Sequence, residues 1–111
     1  MTEHFKHAAT KAEFDELVAS AGDRPTFVDF YATWCGKCEL LKPDLEAVAN
    51  DHADQAVYIK VDVEENEAVA EEYAVESLPT VILIKAGAKV GEMKGSKPEN
   101  FKKFIEEGLS K

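Results

Sequence analysis

The chain has 111 residues, room for one domain with its own core and for little else. Its 22 acidic and 13 basic residues leave a net charge of −9, which argues against binding nucleic acid, because phosphates must be neutralised. Two cysteines are too few for a secreted disulfide scaffold, and no apolar run approaches the length of a membrane span.

Met1–His7 lacks the apolar stretch of a secretory signal, and the initial methionine argues against a processed form. A weak strand is centred on Phe5. Thr10 stands three residues before Glu13, the spacing of a capping box, and Phe14, Leu17 and Val18 then give a helical stripe that ends near Gly22. His4 and His7 precede that helix and read as surface residues. Thr26–Ala32, opened by Pro25, is almost continuously apolar, as in a strand covered on both faces. Asp29 interrupts it. Apolar neighbours on either side favour a buried carboxyl over a charge on an exposed edge, and burial raises a carboxyl pKa.

This strand runs into Trp34-Cys35-Gly36-Lys37-Cys38, which holds both cysteines. Leu40, Leu41, Leu45 and Val48 then space as an amphipathic helix, with Pro43 inside it removing a backbone donor and kinking it. His52 lies near the end of that helix, where positive charge is favoured. Ala56–Val63 alternates as a strand, with Val57, Ile59, Val61 and Val63 on one face and Tyr58, Lys60 and Asp62 on the other. From Glu64 a third helix carries Ala68, Val69 and Tyr73. Asp62, Glu64, Glu65, Glu67, Glu71, Glu72 and Glu76 have no lysine or arginine among them. A solvated face is the plainer reading of that cluster, a docking patch for a basic partner the other. Pro79 precedes the strand Thr80–Ile84, Ala86-Gly87 turns the chain, and Ala88–Met93 completes a hairpin whose exit is Gly95. Ser96 or Lys97 starts a final helix at Pro98, with Phe101, Phe104, Ile105 and Leu109 on its apolar face.

The order β-α-β-α-β-α-β-β-α predicts parallel strands joined by right-handed crossovers, then an antiparallel hairpin in the same sheet, with helices over both faces. A Cys-x-x-Cys between a strand and a helix reads as a dithiol redox pair. A closed zinc site needs four ligands. A second Cys-x-x-Cys is absent, and His4, His7 and His52 form no coherent set.

Several features stand in register along nearly the whole chain. Asp29 lies six residues before Cys35, Ala32-Thr33-Trp34 lead to it, and Pro43 follows Cys38 by five. Lys60 stands on the next strand, Leu78-Pro79 precede the fourth, and Gly95 follows the fifth. In all of this the chain resembles the thioredoxin family. The resemblance implies an α/β thioredoxin fold, a five-stranded mixed central sheet of order 1-3-2-4-5 flanked by four helices. It implies that Cys35 is the attacking nucleophile and Cys38 the buried resolving thiol. Asp29 resembles the buried acid that takes the Cys38 proton, often through water, and Pro79 the cis proline that faces the disulfide. Lys60 is either the basic neighbour of that acid or a surface strand lysine, with little to choose between the two. Trp34, Gly36, Leu78, Pro79 and Gly95 would line the surface where substrate docks.

By the same resemblance the chain is a protein-disulfide reductase serving general redox homeostasis and electron transport. It carries no bound cofactor and no metal; its redox-active disulfide is reduced by a flavin-containing thioredoxin reductase drawing on NADPH. Its partners are that reductase and disulfide-containing proteins, with neither nucleic acid nor membrane, and it acts as a cytoplasmic monomer. Two departures bear on potential and partner choice. The family pair between the cysteines is usually Gly-Pro, here Gly36-Lys37, and the following residue is often basic, here Glu39. Lys94 beside Gly95 also makes the docking patch less apolar. Lys37 restores a first-turn N–H that proline lacks; aimed at the Cys35 thiolate, it would stabilise the reduced form and make the couple more oxidising. An isomerase- or oxidase-type domain of the same fold is an alternative, since its central pair is often not Gly-Pro. The missing signal, and a Gly108–Lys111 ending that is no retention tail, weigh against it. A redox-sensing or binding module without catalysis is another, against which the presence of both cysteines argues.

Overall fold

Strand and helix alternate as the hydrophobic periods require. The computed structural model, which describes residues 3–95 and 97–110, has β1 (Phe5–His7), α1 (Lys11–Ser20), β2 (Thr26–Tyr31), α2 (Gly36–Asp51) and β3 (Val57–Asp62). It continues with α3 (Glu67–Glu72), β4 (Thr80–Lys85), β5 (Ala88–Lys94) and α4 (Pro98–Leu109). The five strands form one sheet of order β1-β3-β2-β4-β5, as the resemblance implies. β3 pairs in parallel with both β1 and β2, whereas β4 pairs antiparallel with β2 and β5.

Two apolar layers sandwich the sheet. Phe27 of β2, Tyr58 of β3 and Leu83 of β4 face Leu41 and Leu45 of α2 and Phe101 and Ile105 of α4. Val28 and Phe30, Ile59 and Val61, and Ile82 and Ile84 face Phe14 of α1 and Val69 of α3. A central strand covered on both sides has no polar face, which is why Thr26–Tyr31 is nearly all apolar. The approach of α4 is tight enough that a Cβ at Gly108 would lie 2.8 Å from Phe27 Cζ, so only glycine fits without displacement.

The local signals behave as their chemistry predicts, with exceptions. Thr10 Oγ1 caps α1 by accepting the Glu13 N–H at 3.1 Å, and the Glu13 carboxylate in turn accepts from the Thr10 hydroxyl at 3.3 Å. Pro43 sits inside α2 without breaking it. Ala86 and Gly87 both have positive φ, 53° and 79°, as a two-residue type I′ hairpin turn demands. α3 is shorter than expected, starting at Glu67 rather than Glu64. The Asp62 carboxylate accepts the Glu64 and Glu65 N–H groups at 2.9 and 3.4 Å, and such a turn competes with helix. Asn66, at the N-cap of α3, sends its side-chain amide to the Ala8 carbonyl at 3.2 Å instead of capping. Ala68, expected on the apolar stripe, is exposed. α4 is preceded by Lys97; Ser96, the other expected start, lies outside the described residues.

Candidate active site

β2 delivers the chain to the site and α2 carries it away. Cys35 is the N-cap of α2, with an extended backbone at φ −85°, ψ 102°. Its N–H donates to the Ala32 carbonyl at 3.1 Å, which folds the Ala32–Cys35 approach into a turn. Cys38, one helical turn on, is disulfide-bonded to Cys35 with a Cα–Cα separation of 5.3 Å. The Cys38 N–H donates to Cys35 Sγ at 3.1 Å. A helix N-terminus leaves amides without backbone acceptors, and here one of them points at the reacting sulfur. The amide that reaches the sulfur therefore belongs to Cys38, not to Lys37, which corrects the expected reason for the effect of Lys37. In the disulfide, Cys35 and Cys38 are about equally buried, 6% and 8% exposed. What stands out into solvent is Trp34, 68% exposed.

A shallow groove runs along the outer side of the disulfide. Trp34, Cys35, Gly36 and Lys37 form one bank, and Val63, Val75 and Leu78 the other. Leu78-Pro79 is a cis peptide bond. Of the expected docking residues, Trp34, Gly36 and Leu78 line this groove. Pro79 is buried and Gly95, at φ 124°, follows β5 in the open; neither is among its lining residues. Val63 and Val75, with Glu76 and Ser77, complete the groove; the sequence places Val63 on a strand face and Glu76 in the acidic cluster, and nothing in it points to any of the four beside the disulfide. They lie 25 or more residues from the cysteines, just beyond β3 and α3, and only the crossover brings them close.

The inner side is different. Asp29 and Tyr31 of β2, Lys60 of β3, and Cys38, Glu39, Lys42 and Glu46 of α2 enclose a crevice of about 70 Å³, closed below by Phe5 and Leu45. Asp29 keeps some solvent contact as a residue, yet its Oδ1 is sealed and has no hydrogen-bond partner among the described residues. Burial pushes its carboxyl up to about 7; the nearby Glu46 charge adds to the rise, while Lys60 and Lys42 oppose it. Lys60 is the direct cross-strand neighbour of Asp29, and its ammonium lies 3.3 Å from the Glu3 carboxylate. Cys38 thus belongs to the disulfide and to the wall of the Asp29 crevice. Among the described residues, no cluster of His, Cys, Asp and Glu forms that could hold a metal ion.

His4, His7 and His52 are scattered. The His4 ring contacts Asn50, that of His7 pairs with Glu65, and that of His52 contacts Gln55 at the end of α2. The acidic side chains after Asp62 lie in solvent along α3 and its flanks.

Comparison with known proteins agrees with this geometry. The thioredoxin family model matches residues 5–107. A thioredoxin of Oryctolagus cuniculus is 39% identical over 104 residues, covering 94% of this chain and 98% of that protein. A thioredoxin of Staphylococcus aureus is 41% identical over 101 residues, covering 90% and 94%. Among solved structures, the thioredoxin of Fasciola hepatica superposes with a TM-score of 0.88 at 33% identity, over 94% of this chain and 99% of its own. That of Nicotiana alata gives a TM-score of 0.89 at 27% identity, over 97% and 95%. A family match over nearly the whole length, together with the sheet order β1-β3-β2-β4-β5 and a Cys-x-x-Cys disulfide at the junction of β2 and α2, makes this chain a member of the thioredoxin family and a protein-disulfide oxidoreductase working by dithiol–disulfide exchange.

Proposed function

We propose that the chain, acting as one domain over residues 1–111, is a cytoplasmic, monomeric reductase of protein disulfides. Cys35, at the helix N-terminus, is the attacking group. Its thiolate bonds to one sulfur of the substrate disulfide, and the other substrate sulfur leaves as a thiolate. The Cys38 thiolate then bonds to Cys35 Sγ and expels the second substrate sulfur. The Cys35–Cys38 disulfide is the product, and the substrate has gained two electrons and two protons. Asp29 accepts the Cys38 proton within the crevice that both residues line. A carboxyl poised near neutrality is suited to that transfer, and Lys60 adjusts it. Substrate docks on Trp34, Gly36 and Leu78, with Pro79 and Gly95 at the margins, while Gly36 and Lys37 tune the potential. A thioredoxin reductase drawing on NADPH returns the electron pair, and a reducing compartment keeps the cycle running.

The observation that supports this reading most is the placement of Cys38, bonded to the N-cap cysteine on one side and lining the crevice of the largely buried Asp29 carboxyl on the other. The test is insulin reduction coupled to NADPH oxidation through a thioredoxin reductase. Cys35→Ser is expected to lower turnover at least ~1000-fold, because the nucleophile is gone. Cys38→Ser is expected to accumulate a mixed disulfide with substrate, seen by mass spectrometry. Turnover by Cys35→Ser at the wild-type rate would sink the assignment.

A further inference from the structure

The crevice mouth carries three charged groups whose arrangement the exchange reaction does not explain: Lys42 and Glu46 on α2, and Lys60 on β3. All three are held by the two residues just before β1. The Glu3 carboxylate lies 3.5 Å from Lys42 Nζ and 3.3 Å from Lys60 Nζ. The His4 N–H donates to Glu46 Oε1 at 2.8 Å, and the His4 ring meets Asn50 Oδ1 at 3.0 Å. Sheet pairing does not account for this, since the register of β1 with β3 begins at Phe5. One dipeptide therefore ties α2 to β3 across the opening above Asp29.

We infer that Glu3-His4 is a strap that sets the charges around Asp29, with Glu3 a positioning residue for proton transfer between Asp29 and Cys38. The inference rests on the acid–base reading of Asp29 given above. Asp29 Oδ1 is buried with no hydrogen-bond partner among the described residues, so nearby charges count for more there than on an open surface. The groups lining the crevice with it are Cys38, Glu39, Lys42 and Glu46 from α2, Lys60 from β3 and Tyr31 from its own strand, with Val81 of β4 in register; Glu3 of the strap reaches it only through its pairs with Lys42 and Lys60. The two lysines favour the carboxylate and Glu46 disfavours it. Unopposed, the lysines would return Asp29 toward an ordinary, weakly basic carboxylate. Glu3 is kept charged, chiefly by its hydrogen bond to Lys60, and pairs with both lysines, so on this inference it offsets part of their field at Asp29. Exposed pairs of this kind contribute little to folding, so the strap acts on the titration of Asp29 and not on stability.

The decisive measurement is the ¹³C NMR titration of the Asp29 carboxyl in the oxidised protein, for wild type, Glu3→Gln, Glu3→Asp and Glu71→Gln. Glu71, on α3, removes the same charge from the opposite layer. Glu3→Gln is expected to lower the Asp29 midpoint by about half a pH unit. Glu3→Asp should keep most of the wild-type value, and Glu71→Gln should leave it in place. A parallel experiment follows Cys38-driven release of thionitrobenzoate from its mixed disulfide with Cys35 against pH, where the Glu3→Gln profile should move with the NMR midpoint. An unmoved Asp29 midpoint in Glu3→Gln, or an equal shift in Glu71→Gln, overturns the strap. If instead Asp29→Ala leaves the pH profile of release unchanged, the acid–base reading beneath it falls, whatever the titration of Asp29 itself does.

Discussion

Around one disulfide, the groove under Trp34 and the crevice over Asp29 are built from opposite materials. The groove is open and mostly apolar, with Trp34, Val63, Val75 and Leu78 meeting solvent beside Cys35. The crevice is small and ringed with charge, and one oxygen of its carboxyl is buried with no hydrogen-bond partner among the described residues. A substrate sulfur must reach the reacting pair in line, so one side has to be exposed and sticky. A proton must be held at a tuned affinity, so the other side has to exclude water and fix its charges. The disulfide separates the two tasks, with Cys35 in the wall of the groove and Cys38 in the wall of the crevice.

The contrast can be broken most forcefully at Asp29. Its folded carboxyl titrates at about 7 against a reference of 3.8, so between those values the native state binds the extra proton. Stability of the oxidised protein therefore falls as pH rises through that window, by about 4 kcal/mol in all. In Asp29→Ala this fall should vanish, leaving the variant more stable than wild type at pH 8 in urea unfolding, and resolution by Cys38 should slow about 100-fold or more. Parallel stability–pH curves for the two proteins would show that the carboxyl is not paying a burial cost.

On the open side, Trp34→Ala removes exposed apolar surface that a docked protein would cover. Turnover with insulin is expected to drop about 10-fold through a higher KM, as for loss of an interfacial aromatic anchor. The Asp29 midpoint should stay where it is, and a shift there would mean that the two sides are not independent. The smallest effect is expected at Lys37. The amide that reaches Cys35 Sγ is that of Cys38, and Lys37→Pro leaves it intact. The substitution should lower the reduction potential by at most ~30 mV, a tenfold change in the equilibrium constant, measured against a glutathione buffer. A larger drop, or a rise, would show that the Lys37 amide or ammonium carries more than the geometry assigns to it.

Much of this was legible in the chain because short-range chemistry wrote it. The strand periods of Thr26–Tyr31 and Val57–Asp62, the cap at Thr10, the Ala86-Gly87 turn and the apolar face of α4 are all decided by neighbours a few residues away. α3 starts later than its residues imply because a carboxylate turn at Asp62 and a helix both satisfy the same amides, and residue type alone does not rank them. The fit of Gly108 on Phe27 left no local trace, since a glycine in a helix looks like a weakness until the opposing ring is in place.

The sequence by itself determined that a dithiol sits between a strand and a helix, and that an acid interrupts an apolar strand upstream of it. Both are properties of contiguous residues, with a spacing that no folding can alter. Tertiary structure alone decided which groups surround that acid. Lys42, Glu46 and Lys60, and the Glu3 that pairs with both lysines, come from three separate parts of the chain, and the charges that act on Asp29 do so according to distance and excluded water. Coulomb energies between side chains are set in space, so they take values only once the sheet and α2 have closed around the crevice.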